Sequence, residues 1–138
     1  MQPVVERFKQ TYGQLDAQSL GLLSELYSDD VEFQDPFHQI AGLPALRQYF
    51  ADLYAQVESC SFKFEEDVTQ GNDSVLMWTM FLIHPRLNGG VVVTVPGSTH
   101  IRFRDKVSYH RDYFDAGAML YEQLPLVGRV IRIIKRRV

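Results

Sequence analysis

The sequence predicts an α+β fold, with three N-terminal helices packed on a strongly curved, mostly antiparallel sheet that encloses a pocket. Three observations lead there. Residues 3–57 repeat apolar side chains at helical spacing, broken by one short alternating segment. Residues 60–115 instead hold aromatic and β-branched runs separated by turn clusters. The chain has 138 residues, enough for one hydrophobic core and too few for two.

Taken in order, residues 3–13 read as a helix: Pro3 suits a first turn, Val4, Phe8 and Tyr12 recur at i, i+4, i+8, and Gly13 closes it. Asp16 is placed to cap a second helix over 17–28, where Leu20, Leu22, Leu23, Leu26 and Tyr27 form an apolar stripe. A short strand at 31–34 then stops at Asp35-Pro36, because proline has no N–H to donate and holds its predecessor extended. After a turn at Gly42, residues 43–57 form the third helix, with Leu43, Leu46, Tyr49, Phe50, Leu53 and Val57 on one face. Strands follow at 60–68, with Phe62 and Phe64 on one face, and at 74–84 after the Gln70-Gly71-Asn72-Asp73 turn. Residues 91–104 make the next strand, in which Pro96-Gly97 predicts a bulge or bend, and Asp105-Lys106 leads into the last, 107–115. Strands joined by such turns form an antiparallel meander.

Composition excludes several classes of function. Residues 1–125 carry nine Lys/Arg against all seventeen Asp/Glu, a poor platform for nucleic acid, whose phosphates need clustered cations. A single cysteine, Cys60, leaves no intramolecular disulfide and no multi-cysteine metal site, which suits a reducing, cytoplasmic setting. The N-terminal MQPVVERFKQ has neither a basic nor an apolar signal region, and no run is long and apolar enough to span a bilayer. No G-x-S-x-G elbow or glycine-rich phosphate loop occurs, so neither a serine nucleophile nor a nucleotide cofactor is expected. Nine Phe, seven Tyr and one Trp fit either an aromatic core or an aromatic-lined cavity.

Asp35 is the most pointed residue. Strand parity puts it on the side of Val31 and Phe33, so a core-facing strand aims its carboxylate inward. Buried acids are costly unless paired, which makes such a residue a candidate for chemistry. An Asp before Pro is equally a turn former that bonds the local backbone. Parity also groups Trp78, Met80, Leu82 and His84; Thr99, Ile101 and Phe103; and Ser108, His110, Asp112 and Phe114. His110 beside Asp112 is a candidate acid/base pair, whereas His84 before Pro85 reads as a hydrogen-bonded strand-end residue and His38 as a solvated loop residue. His84, His110 and Asp112 have no short metal-ligand spacing, so no metal is expected.

The order of elements, with YSDD, Asp35-Pro36, the GLPALRQYF helix after Gly42, IRFRD and HRDYFD, resembles the SnoaL-like and ketosteroid-isomerase-like branch of the NTF2-like superfamily over roughly residues 3–120. The resemblance implies an NTF2-like cone over residues 1–120, leaving 121–138 as a basic extension. It implies that Asp35 holds the position of a general base, assisted by His110 and Asp112. Tyr12, Phe33, Tyr49, Trp78, Thr99 and Phe114 would bind substrate. It puts His100, Arg102, Arg104 and Arg111 on the convex face, commonly the homodimer surface in this superfamily. Two positions depart from the steroid isomerases: Thr11 stands where their helix-1 tyrosine does, with Tyr12 one residue away, and Thr99 stands at their protonated acid. Loss of such an oxyanion donor typically costs about 3–4 kcal/mol of transition-state stabilisation, which argues against steroid isomerisation.

Two functions follow as expectations: a cofactor-free isomerase or polyketide-cyclase-like lyase acting on an apolar, carbonyl-containing small molecule, or a non-catalytic ligand-binding or interaction module of the same fold. The tail YEQLPLVGRVIRIIKRRV (121–138) places Val127, Val130, Ile131 and Ile134 at helical spacing among five cations. It either packs on its own domain or, through residues 126–138, meets an anionic membrane or acidic partner.

Overall fold

In the computed structural model, residues 3–119 and 125–138 are described. The elements run α1 (Pro3–Gln14), α2 (Leu22–Leu26), β1 (Tyr27–Gln34), β2 (Gln39–Ala41), α3 (Leu43–Gln56), β3 (Ser59–Gln70), β4 (Asp73–Ile83), β5 (Val93–Phe103), β6 (Val107–Phe114), α4 (Ala116–Met119) and α5 (Pro125–Arg137). One six-stranded sheet has the order β2-β1-β6-β5-β4-β3. Its pairs are antiparallel except β1 with β6, which are parallel because the chain makes the whole β3–β5 meander before returning beside β1.

The α1 stripe behaves as its spacing predicts, and Val4, Phe8 and Tyr12 are buried against the sheet with Leu26, Val31, Leu46, Leu76 and Ile101. At the other end of the sheet Trp78, Met80, Leu82, Leu87, Val93 and Val95 form a second cluster. β4 buries Ser74, Leu76, Trp78, Met80 and Leu82 in strict alternation, as its pattern predicts. Gly42 opens α3 at φ 90°, where a side chain would be strained, and its N–H bonds the Val31 carbonyl at 2.8 Å. The convex face carries the predicted cations: His100 and Arg102 meet Asp73 at 2.8 and 3.1 Å, and Arg102 and Arg111 lie over the Tyr109 and Tyr113 rings.

Five local departures from the sequence reading follow. The helix predicted over 17–28 contracts to Leu22–Leu26, since Asp16 spends its carboxylate on the Gln18 N–H and Ser19 hydroxyl, both at 2.9 Å. Tyr27 opens β1 rather than ending a helix, because it pairs with Val107 across the sheet. β2, given no element in the sequence reading, pairs with β1 through Phe33 and Ile40; three residues are too few to show alternation. Pro96-Gly97 makes no break, and β5 keeps one register against β4 from Val93 to Arg102. Gly97 is already opposite the last residue of β6, so Pro96 lies where β5 has lost that neighbour, an edge setting that tolerates a missing N–H. Finally, Ser108 leaves the His110 face: the register slips between Phe103↔Val107 and Arg102↔Tyr109, a bulge that buries Val107 and exposes Ser108.

Candidate functional site

Between the concave sheet face and α3 lies a cavity of about 790 Å³, lined mainly by aromatic and aliphatic side chains. Tyr12, Phe33, Tyr49, Trp78 and Phe114 of the expected binding set line it, as do Asp35 and Asp112. His110 and Thr99 do not reach it. Both are 1 % exposed and stand behind the wall, where they hold Asp112.

Asp35 continues the Val31/Phe33 parity inward and is 8 % exposed. It is both a turn former and a cavity acid. Its Oδ1 accepts the Phe37 and His38 backbone N–H groups at 2.8 and 2.7 Å and lies 3.1 Å from His38 Nδ1. Its Oδ2 accepts the Tyr49 hydroxyl at 2.8 Å. Oδ1 is therefore saturated, and Oδ2 also lies 3.4 Å from His38 Nδ1. Burial first, then the Asp35 charge, raise the Tyr49 phenol far above its ordinary range, so Tyr49 stays a hydrogen-bond donor.

The second acid sits in a chain of hydrogen bonds. Trp78 Nε1–H donates to Thr99 Oγ1 at 2.8 Å, and Thr99 passes its own proton to Asp112 Oδ1 at 2.5 Å. His110 Nε2 reaches the same oxygen at 2.7 Å, and His110 Nδ1 lies 2.8 Å from the Tyr27 hydroxyl. Tyr27 is 2.6 Å from the Tyr12 hydroxyl, back at the cavity wall. Tryptophan only donates and an ionised carboxylate only accepts, which assigns the directions. His110 carries its proton on Nε2, Tyr27 donates to Nδ1, and Tyr12 donates to Tyr27. Burial raises both tyrosine phenols, so these protons stay in place.

Among the described residues, nothing bonds Asp112 Oδ2 and no fully buried side-chain N or O is left without a partner, so Oδ2 is not sealed in the wall, and Asp112 lines the cavity. The two acids differ: among the described residues Asp112 is held through Oδ1, whereas both oxygens of Asp35 have partners. Such a site can bind a neutral carbonyl compound among the rings and exchange protons with it at a carboxylate.

Tyr12, of the expected binding set, is the helix-1 residue on the cavity, and Thr11 is not. Two residues exceed the sequence reading. Tyr27 was hidden in an apolar helical stripe, and only its YSDD context marked it. His38, read as solvated, braces Asp35 although its own side chain is half exposed. His84 stands at the cavity edge, where its Nδ1 accepts the Arg86 N–H at 3.0 Å. Among the described residues, no group of three His, Cys, Asp or Glu side chains has metal-holding geometry, and His84 does not join His110 and Asp112.

Cys60 also lines the cavity, and burial followed by the Asp112 charge pushes its thiol up to about 12. The reactive thiolate is then scarce at neutral pH. Labelling by a disulfide reagent at pH 8 should run at least about a hundredfold slower than with a free thiol, and rise steadily toward pH 12. Rapid labelling at pH 8 would show that the cavity opens widely to solvent.

The chain matches the SnoaL-like domain family over residues 5–110. In structure it is similar to an NTF2-like protein of unknown function from Burkholderia pseudomallei, with TM-score 0.77 and 15% identity, covering 87% of this chain and 96% of that one. A ketosteroid isomerase-like protein from Catenulispora acidiphila, in complex with trimethylamine, aligns with TM-score 0.75 and 16% identity over 89% and 94% of the chains. A putative SnoaL-like polyketide cyclase from Jannaschia sp. gives TM-score 0.73 and 17% identity over 87% and 93%. No curated protein sequence matches significantly. With residues 5–110 matched, the chain belongs to the SnoaL-like domain family and has the NTF2-like fold.

Proposed function

We propose that the cone binds a small, largely apolar, carbonyl-containing molecule and moves a proton on it without a cofactor. One observation carries this reading: Asp35, just past the end of β1, and Asp112, on β6, both line a cavity whose lining is mostly rings and aliphatic groups. Asp112 is the better base. Its Oδ2 has no protein donor among the described residues, whereas Asp35 Oδ2 already accepts from Tyr49. In this reading Asp112 takes a proton from the carbon next to the carbonyl, leaving an enolate, and returns it to another carbon or to oxygen. His110 and Thr99 are positioning residues that fix Asp112 Oδ1. Asp35, the expected base, holds Tyr49 and supplies a second acceptor at the mouth. The rings exclude water, which strengthens each of these interactions.

The test is hydrogen–deuterium exchange next to the carbonyl, followed by NMR in D₂O for a panel of cyclic ketones and diketones that bind. Wild-type protein should accelerate exchange, and Asp112→Asn should lower the rate by about a hundredfold or more. Asp35→Asn keeps the Oδ1 acceptor of the turn and should fold normally, with a smaller loss. A larger loss in Asp35→Asn would move the base to Asp35. A bound ketone whose exchange is not accelerated would leave ligand binding as the function. That second reading is favoured by the full hydrogen bonding of Asp35 Oδ1, which a purely structural turn also needs.

A further inference from the structure

α5 turns apolar side chains outward. Val130, Ile133 and Ile134 are 50 %, 41 % and 54 % exposed, and helical spacing puts them on one side together with Arg137. The adjoining arc holds Arg129, Arg132 and Arg136, all exposed. A different side meets the domain: Gly128 is buried, Ile131 is half-buried, and Lys135 bonds Asp115. After Glu122 the sequence contains no acid, and residues 125–138 consist only of aliphatic residues, Pro, Gly, Lys and Arg.

We propose that α5 is an interfacial helix that docks the domain on an anionic phospholipid surface, with Val130, Ile133 and Ile134 in the acyl boundary and the arginines among the headgroups. Protein interfaces are depleted in charged residues at their core and carry directional hydrogen bonds across it. A helix offering only aliphatic groups and cations matches a fluid, negatively charged, apolar layer. Long arginine stems can lie along the apolar stripe while their heads stay at the phosphates. The acidic body, with seventeen Asp/Glu against nine Lys/Arg up to residue 125, is repelled by the same surface, which confines contact to α5. No helix of the described residues is long and apolar enough to cross a membrane, so the helix would lie on the surface.

Co-sedimentation of the full chain with phosphatidylcholine vesicles, with and without about 30% phosphatidylserine, tests this at low salt. The protein should sediment with the anionic vesicles and not with the neutral ones, and about 0.5 M salt should release it. Arg129→Glu/Arg136→Glu should weaken binding by at least about twentyfold, since each cation near the surface is worth roughly fivefold. Val130→Ser/Ile134→Ser should weaken it comparably, with circular dichroism confirming that the exposed substitutions leave the fold intact. Protein that stays in the supernatant, binds both vesicles equally, or keeps binding in either double variant overturns the proposal. A dimer that Val130→Ser/Ile134→Ser converts to monomer also overturns it, by making a second copy the occupant of this face.

Discussion

Replacing His110 by alanine should cost about 3–5 kcal/mol of folding stability, the range for truncating a large buried ring, here with two buried hydrogen bonds lost as well. The imidazole is 1 % exposed and packed among rings, with its centroid 4.5 Å from Phe33, 5.6 Å from Phe8 and 5.8 Å from Tyr27. Its loss leaves a void there, removes one of the two donors on Asp112 Oδ1, and strips the Tyr27 hydroxyl of its acceptor. Stability of a domain this size is typically about 5–15 kcal/mol, so the variant should be marginal at room temperature. Urea denaturation measures the loss, and a double-mutant cycle identifies its source. Tyr27→Phe removes the orphaned hydroxyl but also the acceptor of Tyr12, so it should destabilise the His110→Ala background by about 1 kcal/mol less than it destabilises the parent protein. A loss below about 1 kcal/mol for His110→Ala would mean that water replaces the imidazole in both bonds.

Gly97→Ala should cost about 2–3 kcal/mol, at the upper end of the usual range for overpacking. A Cβ at residue 97 would stand 2.4 and 2.7 Å from two carbons of the Trp78 ring and 2.8 Å from the Tyr113 carbonyl oxygen. Neither neighbour yields easily. The indole is anchored by its bond to Thr99, and the carbonyl belongs to the β6 backbone. Moving Trp78 would also pull Thr99 from Asp112, so the variant should weaken the site along with the fold. Trp78 is the only tryptophan, and its fluorescence should shift to the red as the ring loses cover while chemical denaturation reports the stability loss. An unchanged spectrum and near-wild-type stability would show that the indole can swing aside freely.

Much of the site was legible because strand parity is a strong constraint. Alternation grouped Asp35 and Trp78 with apolar neighbours, the family resemblance put Asp112 on the pocket side, and each lines the cavity. Parity held until a bulge intervened. Ser108 was grouped with His110 and lies outside, since an extra residue at the β5–β6 slip reverses the faces before it. Helix extent was less legible than helix existence. Tyr27 has the spacing of the α2 stripe, yet its pairing with Val107, eighty residues away, makes it a strand residue. The same distance effect hid β2, whose only signal is its partner.

The sequence by itself determined the α+β class, the order of helices and strands, the acidic body with its basic tail, and the inward aim of Asp35. Those are consequences of local spacing, turn chemistry and charge, which act within a few residues. Tertiary structure alone decided that Asp35 Oδ1 is saturated while Asp112 Oδ2 has no donor among the described residues, that Thr99 and His110 stand behind the wall, and that Tyr27 links His110 to Tyr12. Hydrogen-bond partners of a buried group come from segments far apart in the chain. No local pattern records which of several inward-facing polar atoms will meet, or which of them is left facing the cavity.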